Sequence, residues 1–266
     1  MARAPLIRPT DAPPRAHEVE AAAPALDRPS TLATGRAERA EAPTHVAIIM
    51  DGNRRWARAR GASEIEGHAA GVEAIRGLLR HAVRREIPVL TLYAFSRENW
   101  ARTDEEVVGL FGLLESAIRS ETDELKAQGV RVRLLGRLEE LPAATRASIE
   151  SALDATIGGE RLLLNIAFNY AGRTELVDAI RQIVRSGLAP DSIDEATVSA
   201  ALYTAGLPDP DLVIRTGGEE RLSNFLIWQA AYAEMIISET LWPDYGPADL
   251  DLALAEYASR TRRFGR

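Results

Sequence analysis

A carboxylate followed by two arginines gives this chain its first chemistry. The stretch His45 to Trp56 reads HVAIIMDGNRRW, and its apolar first half has the make-up of a buried strand. Asp51 falls where that strand must end. A carboxylate at a strand's carboxyl end is well placed to hold a hard metal ion, and arginines just beyond it suit a phosphate. The bland alternative is a turn in which Asp51 and Asn53 bond locally around Gly52. A plain turn has no need of Arg54, Arg55 and Trp56.

Further polar stretches carry related chemistry. Ser96-Arg97-Glu98-Asn99-Trp100-Ala101-Arg102 offers hydroxyl, amide and guanidinium donors for diphosphate oxygens and an indole to wall a pocket. It reads equally well as a solvated loop before a capped helix. In Arg215-Thr216-Gly217-Gly218, with Arg221 and Ser223 beyond, two glycines let backbone N–H groups turn toward an anion and two arginines supply charge. This is neither a G-x-x-x-x-G-K-[ST] loop nor a G-x-G-x-x-G loop. Glu234, in AYAEMII, either has a structural partner or faces a metal; for a lone Glu the first is the commoner case. His68 near a helix start could donate to a phosphate, although a histidine there is more often merely exposed.

The elements that must position these groups alternate between strand and helix. Strands are expected at His45–Met50, Pro88–Phe95, Arg131–Leu135, Arg161–Phe168, Asp211–Arg215 and Met235–Ser238. Helices are expected at Gly67–Glu86, Asp104–Gln128, Pro142–Ile157, Arg173–Ser186, Asp194–Ala201, Asn224–Tyr232 and Pro247–Arg260. Thr103 is the expected N-cap of the second helix, with Glu106 three residues on. This pattern implies one α/β domain over 44–266, a mostly parallel six-stranded sheet flanked by helices. Loops after several strands would then share the sheet's carboxyl edge, where α/β folds place ligands. Asp51–Arg55, Ser96–Arg102, Asn169–Arg173 and Arg215–Ser223 all fall there, so one cleft should gather them. The apolar face Val107, Leu110, Phe111, Leu114 and Ile118 is core by default, or else lines a channel for an aliphatic substrate.

Composition narrows the function. The chain has 266 residues, 46% hydrophobic and 27% charged, with a net charge of −7. A general nucleic-acid binder normally carries the opposite sign, so any anion must meet a local basic pocket. The absence of cysteine excludes disulfides and cysteine-based zinc or nucleophile chemistry. No apolar run reaches the length of a spanning helix and no signal-peptide core is visible, so a cytosolic enzyme is expected. Residues 1–43 hold half of the 14 prolines and read as a disordered tail. Acid, arginines and large apolar faces together suit an enzyme that handles anionic groups and an aliphatic chain.

At these residues the chain resembles the cis-prenyltransferases, the undecaprenyl diphosphate synthases. HVAIIMDGNRRWA, LYAFSRENWAR, LNIAFNYAGRTE, DLVIRTGGEERLSNFLIWQAAYAE, LWPDY and RRFG match in order. The resemblance implies a Rossmann-like sheet, a homodimer and Mg²⁺ dependence. It implies repeated addition of isopentenyl diphosphate to an allylic diphosphate, farnesyl diphosphate being the expected primer. The product would be a long Z-polyprenyl diphosphate for cell-wall lipid carrier synthesis, with peripheral membrane contact on product release. By position, Asp51 would bind Mg²⁺, supported by Glu234. Gly52, Asn53, Arg54, Arg55 and His68 would hold the allylic diphosphate, and Asn99 would assist proton removal. Ser96, Trp100 and Arg102 would order a loop over the site. Arg215, Arg221 and Ser223 would grip isopentenyl diphosphate, and Trp56, Glu64, Arg97, Glu98 and Leu222 complete the expected substrate-binding set.

Two positions depart from the family pattern. Arg54 stands where glycine is usual, and Glu64 replaces an arginine expected to contact the allylic diphosphate. Glu64 should repel that group unless Arg54 or Arg60 compensates. Ala94 is small where short-product relatives carry a bulkier residue, which points to a long product. The alternatives within the family are a synthase of short or branched prenyl diphosphates and a non-catalytic partner subunit. The second is disfavoured because Asp51 and Asn99 are both present.

Overall fold

A computed structural model describes residues 42–260. Almost all of the expected tail lies outside the described residues, as does the terminal RRFG. The strands are β1 His45–Ile49, β2 Val89–Ser96, β3 Val130–Leu135, β4 Leu162–Tyr170, β5 Leu212–Thr216 and β6 Glu234–Ser238. The α-helices are α1 Asn53–Ala59, α2 Glu64–Arg84, α3 Asp104–Ala127, α4 Ala143–Thr156, α5 Gly172–Arg185, α6 Glu195–Ala201 and α7 Pro247–Ser259. The six strands form one sheet in the order β3-β4-β2-β1-β5-β6, with every neighbouring pair parallel. This is the expected fold class.

β1 is the centre of the sheet, and its sequence explains why. All five residues are buried, because a parallel strand between two others is covered on both faces. Val46 and Ile48 pack on one side with Leu78, Leu92 and Trp242. Ala47 and Ile49 pack on the other with Tyr170, Val213 and Phe225. Burial of each of the larger three contributes roughly 1.5–3 kcal/mol.

The topology also fixes where a ligand can sit. From β1 the chain leaves toward β2, and from β5 it leaves toward β6, on the opposite side. The crevice between the carboxyl ends of β1 and β5 is therefore the switch point at which open α/β sheets bind ligands.

Several local expectations are revised. Asp51-Gly52-Asn53 is more than a turn: Gly52 has φ +119° and α1 begins at Asn53. A side chain at Gly52 would meet the backbone of Leu241 at 2.9 Å, so both conformation and space require glycine. α2 starts at Glu64 rather than Gly67, because Ser63 and Glu66 form a reciprocal capping box. Thr103 does cap α3 through the Glu106 N–H. Asn224–Tyr232 is a run of turns and not a helix. Ser223, Asn224 and Leu226 all have positive φ, which a right-handed helix cannot accommodate.

Candidate active site

Asp51 and Arg215 meet across the β1–β5 crevice. The Asp51 backbone is clamped first: its N–H donates to the Thr216 hydroxyl at 2.9 Å, and that hydroxyl donates to the Asp51 carbonyl at 2.6 Å. The carboxylate then stands at the sheet edge. Arg215, only 3% exposed, donates to Asp51 Oδ2 at 2.7 Å and to Ser223 Oγ at 2.7 Å. Its Nε has no partner among the described residues. Arg55 reaches Asp51 Oδ1 at 3.3 Å and donates to the Gly217 carbonyl at 2.6 Å. Gly217 has φ +81°, and a side chain there would lie 2.4 Å from that guanidinium.

α1 turns this edge into a basin. Arg54, Arg55 and Arg58 project from it, and with Asp51, His68 and Arg102 they line a pocket of about 310 Å³. Arg58 was legible only once α1 is read as a helix, since it lies one turn after Arg54. His68 Nε2 is 3.4 Å from both Glu106 Oε1 and Arg102 Nη1. Burial, reinforced by the Arg102 charge, holds the imidazole below its usual range and therefore neutral at neutral pH. Glu106 does more than stand in the first turn of α3, because its carboxylate accepts from Arg102 at 2.8 Å.

Behind the basin lies an apolar cavity of about 200 Å³ between the sheet, α2 and α3. Leu110, Leu114 and Ile118 line it, so the second reading of that helix face applies to these three. Val107 and Phe111 are buried in the core instead. Ala94 reaches the cavity because β2 is bulged there: Tyr93 pairs with Ala167 and Phe95 with Phe168, leaving Ala94 unpaired. Met50, Asn53 and His68 line both basin and cavity. One continuous site is thus cationic at one end and hydrocarbon-like at the other.

A family model described as "Putative undecaprenyl diphosphate synthase" matches residues 49–265. The chain belongs to this family. Among its relatives are the isoprenyl transferases of Heliobacterium mobile, 48% identical over 84% of this chain and 87% of the relative, and of Brucella abortus, 52% identical over 84% and 89%. Lavandulyl diphosphate synthase from Lavandula x intermedia, solved in complex with dimethylallyl diphosphate, superposes with a TM-score of 0.82 at 39% identity, over 85% of this chain and 99% of that one. The structure of a probable undecaprenyl diphosphate synthase from Campylobacter jejuni gives 0.72 at 32% identity, over 84% and 99%. The chain is accordingly a member of a family of prenyl transferase enzymes.

The remaining expected residues of this prenyltransferase divide into two groups. Ser96 and Asn99 sit at the carboxyl end of β2, where the Ser96 N–H donates to Asn99 Oδ1 at 3.0 Å. Glu98 accepts from Asn224 at 2.8 Å, which ties this loop to the one carrying Ser223. Arg221 is exposed and pairs with Glu219, and Leu222 packs on the core beside Phe225. Four residues are engaged elsewhere. Trp56 donates to Asp244 at 2.8 Å under the stacked Arg60 guanidinium. Arg97 pairs with Glu140. Trp100 is buried among Phe95 and Phe111 and donates to Asn169 at 2.8 Å. Glu234 pairs with Arg260 at 2.8 Å. It begins β6 opposite Leu212, whereas Asp51 lies two residues beyond Ile49, the β1 residue opposite Arg215. The two carboxylates therefore stand at opposite edges of the sheet, roughly 10 Å or more apart, and cannot share one ion within a chain.

Glu64 does not face the basin as a bare charge. Its Oε1 accepts from Arg54 Nε at 2.8 Å and lies 2.6 Å from the Arg54 terminal nitrogen. Arg60 is held instead by Asp244 at 3.1 Å. The bonds with Arg54 keep the Glu64 carboxyl below its usual range. Arg54 thus spends much of its charge on Glu64. Glu64→Gln should free it for an anionic ligand and lower the Michaelis constant for a prenyl diphosphate bound in the basin several-fold, with little effect on stability because the pair is exposed. Steady-state kinetics with that substrate varied checks this, and an unchanged constant contradicts it.

Proposed function

We propose that this chain elongates an allylic diphosphate, farnesyl diphosphate being the expected primer, by repeated cis-addition of isopentenyl diphosphate. The product is a long Z-polyprenyl diphosphate for the cell-wall lipid carrier. One observation carries this reading: the arginine-lined basin and the apolar cavity share Met50, Asn53 and His68, so a diphosphate head and a hydrocarbon tail fit one site. Arg54, Arg55, His68 and Arg102 hold the allylic diphosphate. Arg215, with Ser223 and Arg221, holds isopentenyl diphosphate. The allylic C–O bond breaks and its electron pair leaves with the diphosphate, stabilised by the arginines. The isopentenyl double bond attacks the allylic carbon, and the proton then lost passes to a diphosphate oxygen through a water that Asn99 positions.

Mg²⁺ fits the donor set at Asp51. That set is a single carboxylate whose oxygens already meet Arg215 and Arg55, so the ion would arrive with the diphosphate and take the rest of its shell from substrate oxygens and water. Asp51 is its only proposed ligand from this chain; Glu234 is not retained. Bound there, the ion would neutralise diphosphate charge.

The partners follow from the same reading: two prenyl diphosphates, no nucleic acid, and a second copy of the chain. Val177, Ile180 and Val184, spaced along one face of α5, form an exposed apolar stripe, which favours a homodimer. Among the described residues no helix is long and apolar enough to cross a membrane. We place the enzyme in the cytoplasm, with peripheral membrane contact as the product leaves. The likeness to lavandulyl diphosphate synthase supports a short or branched product as the second reading; the small Ala94 in the cavity wall favours the first.

Labelled isopentenyl diphosphate should enter an organic-extractable product only when an allylic primer and Mg²⁺ are both supplied. Incorporation without either contradicts the assignment. Ala94→Leu should fill the cavity at the β2 bulge and shorten the product, read by chromatography of the dephosphorylated chains. An unchanged profile would count against Ala94 as a length determinant.

A further inference from the structure

The cavity does not stay apolar to its far end. α2 and α3 touch near their starts, where a side chain on Gly109 would lie 2.3 Å from Ile65. They part around the cavity, walled there by Val72, Ile75, Leu114 and Ile118. They are joined again farther along by paired charges. Arg76 grips both oxygens of Glu121, at 3.0 and 2.5 Å, and also donates to Glu73 at 2.8 Å. One turn on, Arg80 donates to Glu124 at 2.8 Å, and Gln128 donates to the same carboxylate at 2.7 Å. Arg76, Glu121, Glu124 and Gln128 all line the cavity. From Leu110 to Glu121 the path along α3 is about 16 Å.

Resting on the reading above, we propose that the Arg76–Glu121 pair is a polar stop that limits how far the growing hydrocarbon chain advances, and so sets product length. A polyprenyl tip has no group to offer a charged pair. To pass, it must take solvent and partners away from both ions and return nothing. Both side chains remain partly exposed, at 35% and 20%, so the pair stays solvated and charged while facing the cavity. The bidentate contact fixes it in place. The stop acts by polarity, in contrast to the steric effect expected at Ala94. Because the pair is near the surface and Arg80–Glu124 still joins the helices, its removal should leave the fold intact.

The test sizes products of the full-length enzyme from labelled isopentenyl diphosphate and farnesyl diphosphate with Mg²⁺. Arg76→Met with Glu121→Leu should move the distribution to longer chains by at least one isopentenyl unit. Val72→Arg with Ala117→Glu, which sets such a pair one turn nearer the basin, should shorten it. The charge swap Arg76→Glu with Glu121→Arg should keep the original lengths. An unchanged distribution in the folded apolar variant overturns the proposal. So does lengthening by the charge swap, since packing rather than polarity would then be at work. Should the apolar variant not fold, the nearer pair decides, and unchanged lengths there overturn it equally. An unsubstituted enzyme that incorporates nothing defeats the functional reading itself, and this inference with it, before any variant is compared.

Discussion

Asp51→Asn is expected to lower kcat by about 10³-fold or more, the scale seen when a group aimed at developing charge is lost. Asparagine keeps an oxygen to accept from Arg215 and so preserves the hydrogen bond that spans β1 and β5. What it removes is the one carboxylate that lines the basin among the described residues, the one we propose for Mg²⁺. The structural cost should be modest, roughly 1–3 kcal/mol for weakening the partner of a buried guanidinium. A thermal melt separates this from the kinetic effect. A folded variant with turnover near that of the unsubstituted enzyme would remove Asp51 from the chemistry.

Arg215→Met is expected to raise the Michaelis constant for isopentenyl diphosphate by about 10- to 100-fold, in line with charge-assisted hydrogen bonds of about 1.5–3 kcal/mol. The guanidinium is almost wholly buried and bonds Asp51, Ser223 and the Arg221 carbonyl together, so it organises the loop as well as carrying charge. Lysine should rescue little, because a point charge cannot reproduce that fork. Arg221→Ala, at an exposed side chain already paired with Glu219, should have a smaller effect. Equal effects at the two positions would contradict this division of labour.

The frame was largely legible in the sequence because its signals are local. An unbroken apolar run marks a central parallel strand, and β1, with Asp51 just beyond its end, follows from that alone. The carboxyl-edge convergence needed only the strand–helix alternation. Glu234 directly precedes the strand expected at Met235–Ser238, and in a parallel sheet that alone places it at the amino edge, away from Asp51; the family resemblance, not the strand pattern, put it at the metal. What escaped depends on contacts between distant residues. Glu64 and Arg54 are ten positions apart and meet only because α1 and α2 pack together; this pair, not Arg60, supplies the compensation. Trp100 has the composition of a pocket wall, but a buried acceptor on Asn169 holds it in the core. Asn224–Tyr232 has helix-like apolar spacing, and tertiary contacts overrule it: the Gly172 N–H donates to the Asn224 carbonyl at 2.7 Å and the Arg173 N–H to its side chain at 2.9 Å.

The central claim is that basin and cavity are one site for cis-elongation. Its most direct test is to supply labelled isopentenyl diphosphate with dimethylallyl, geranyl or farnesyl diphosphate, then size the products and assign their new double bonds by NMR. The account predicts several additions to farnesyl diphosphate, each new double bond Z. A single condensation, a branched product from two dimethylallyl units, or new E double bonds would contradict it.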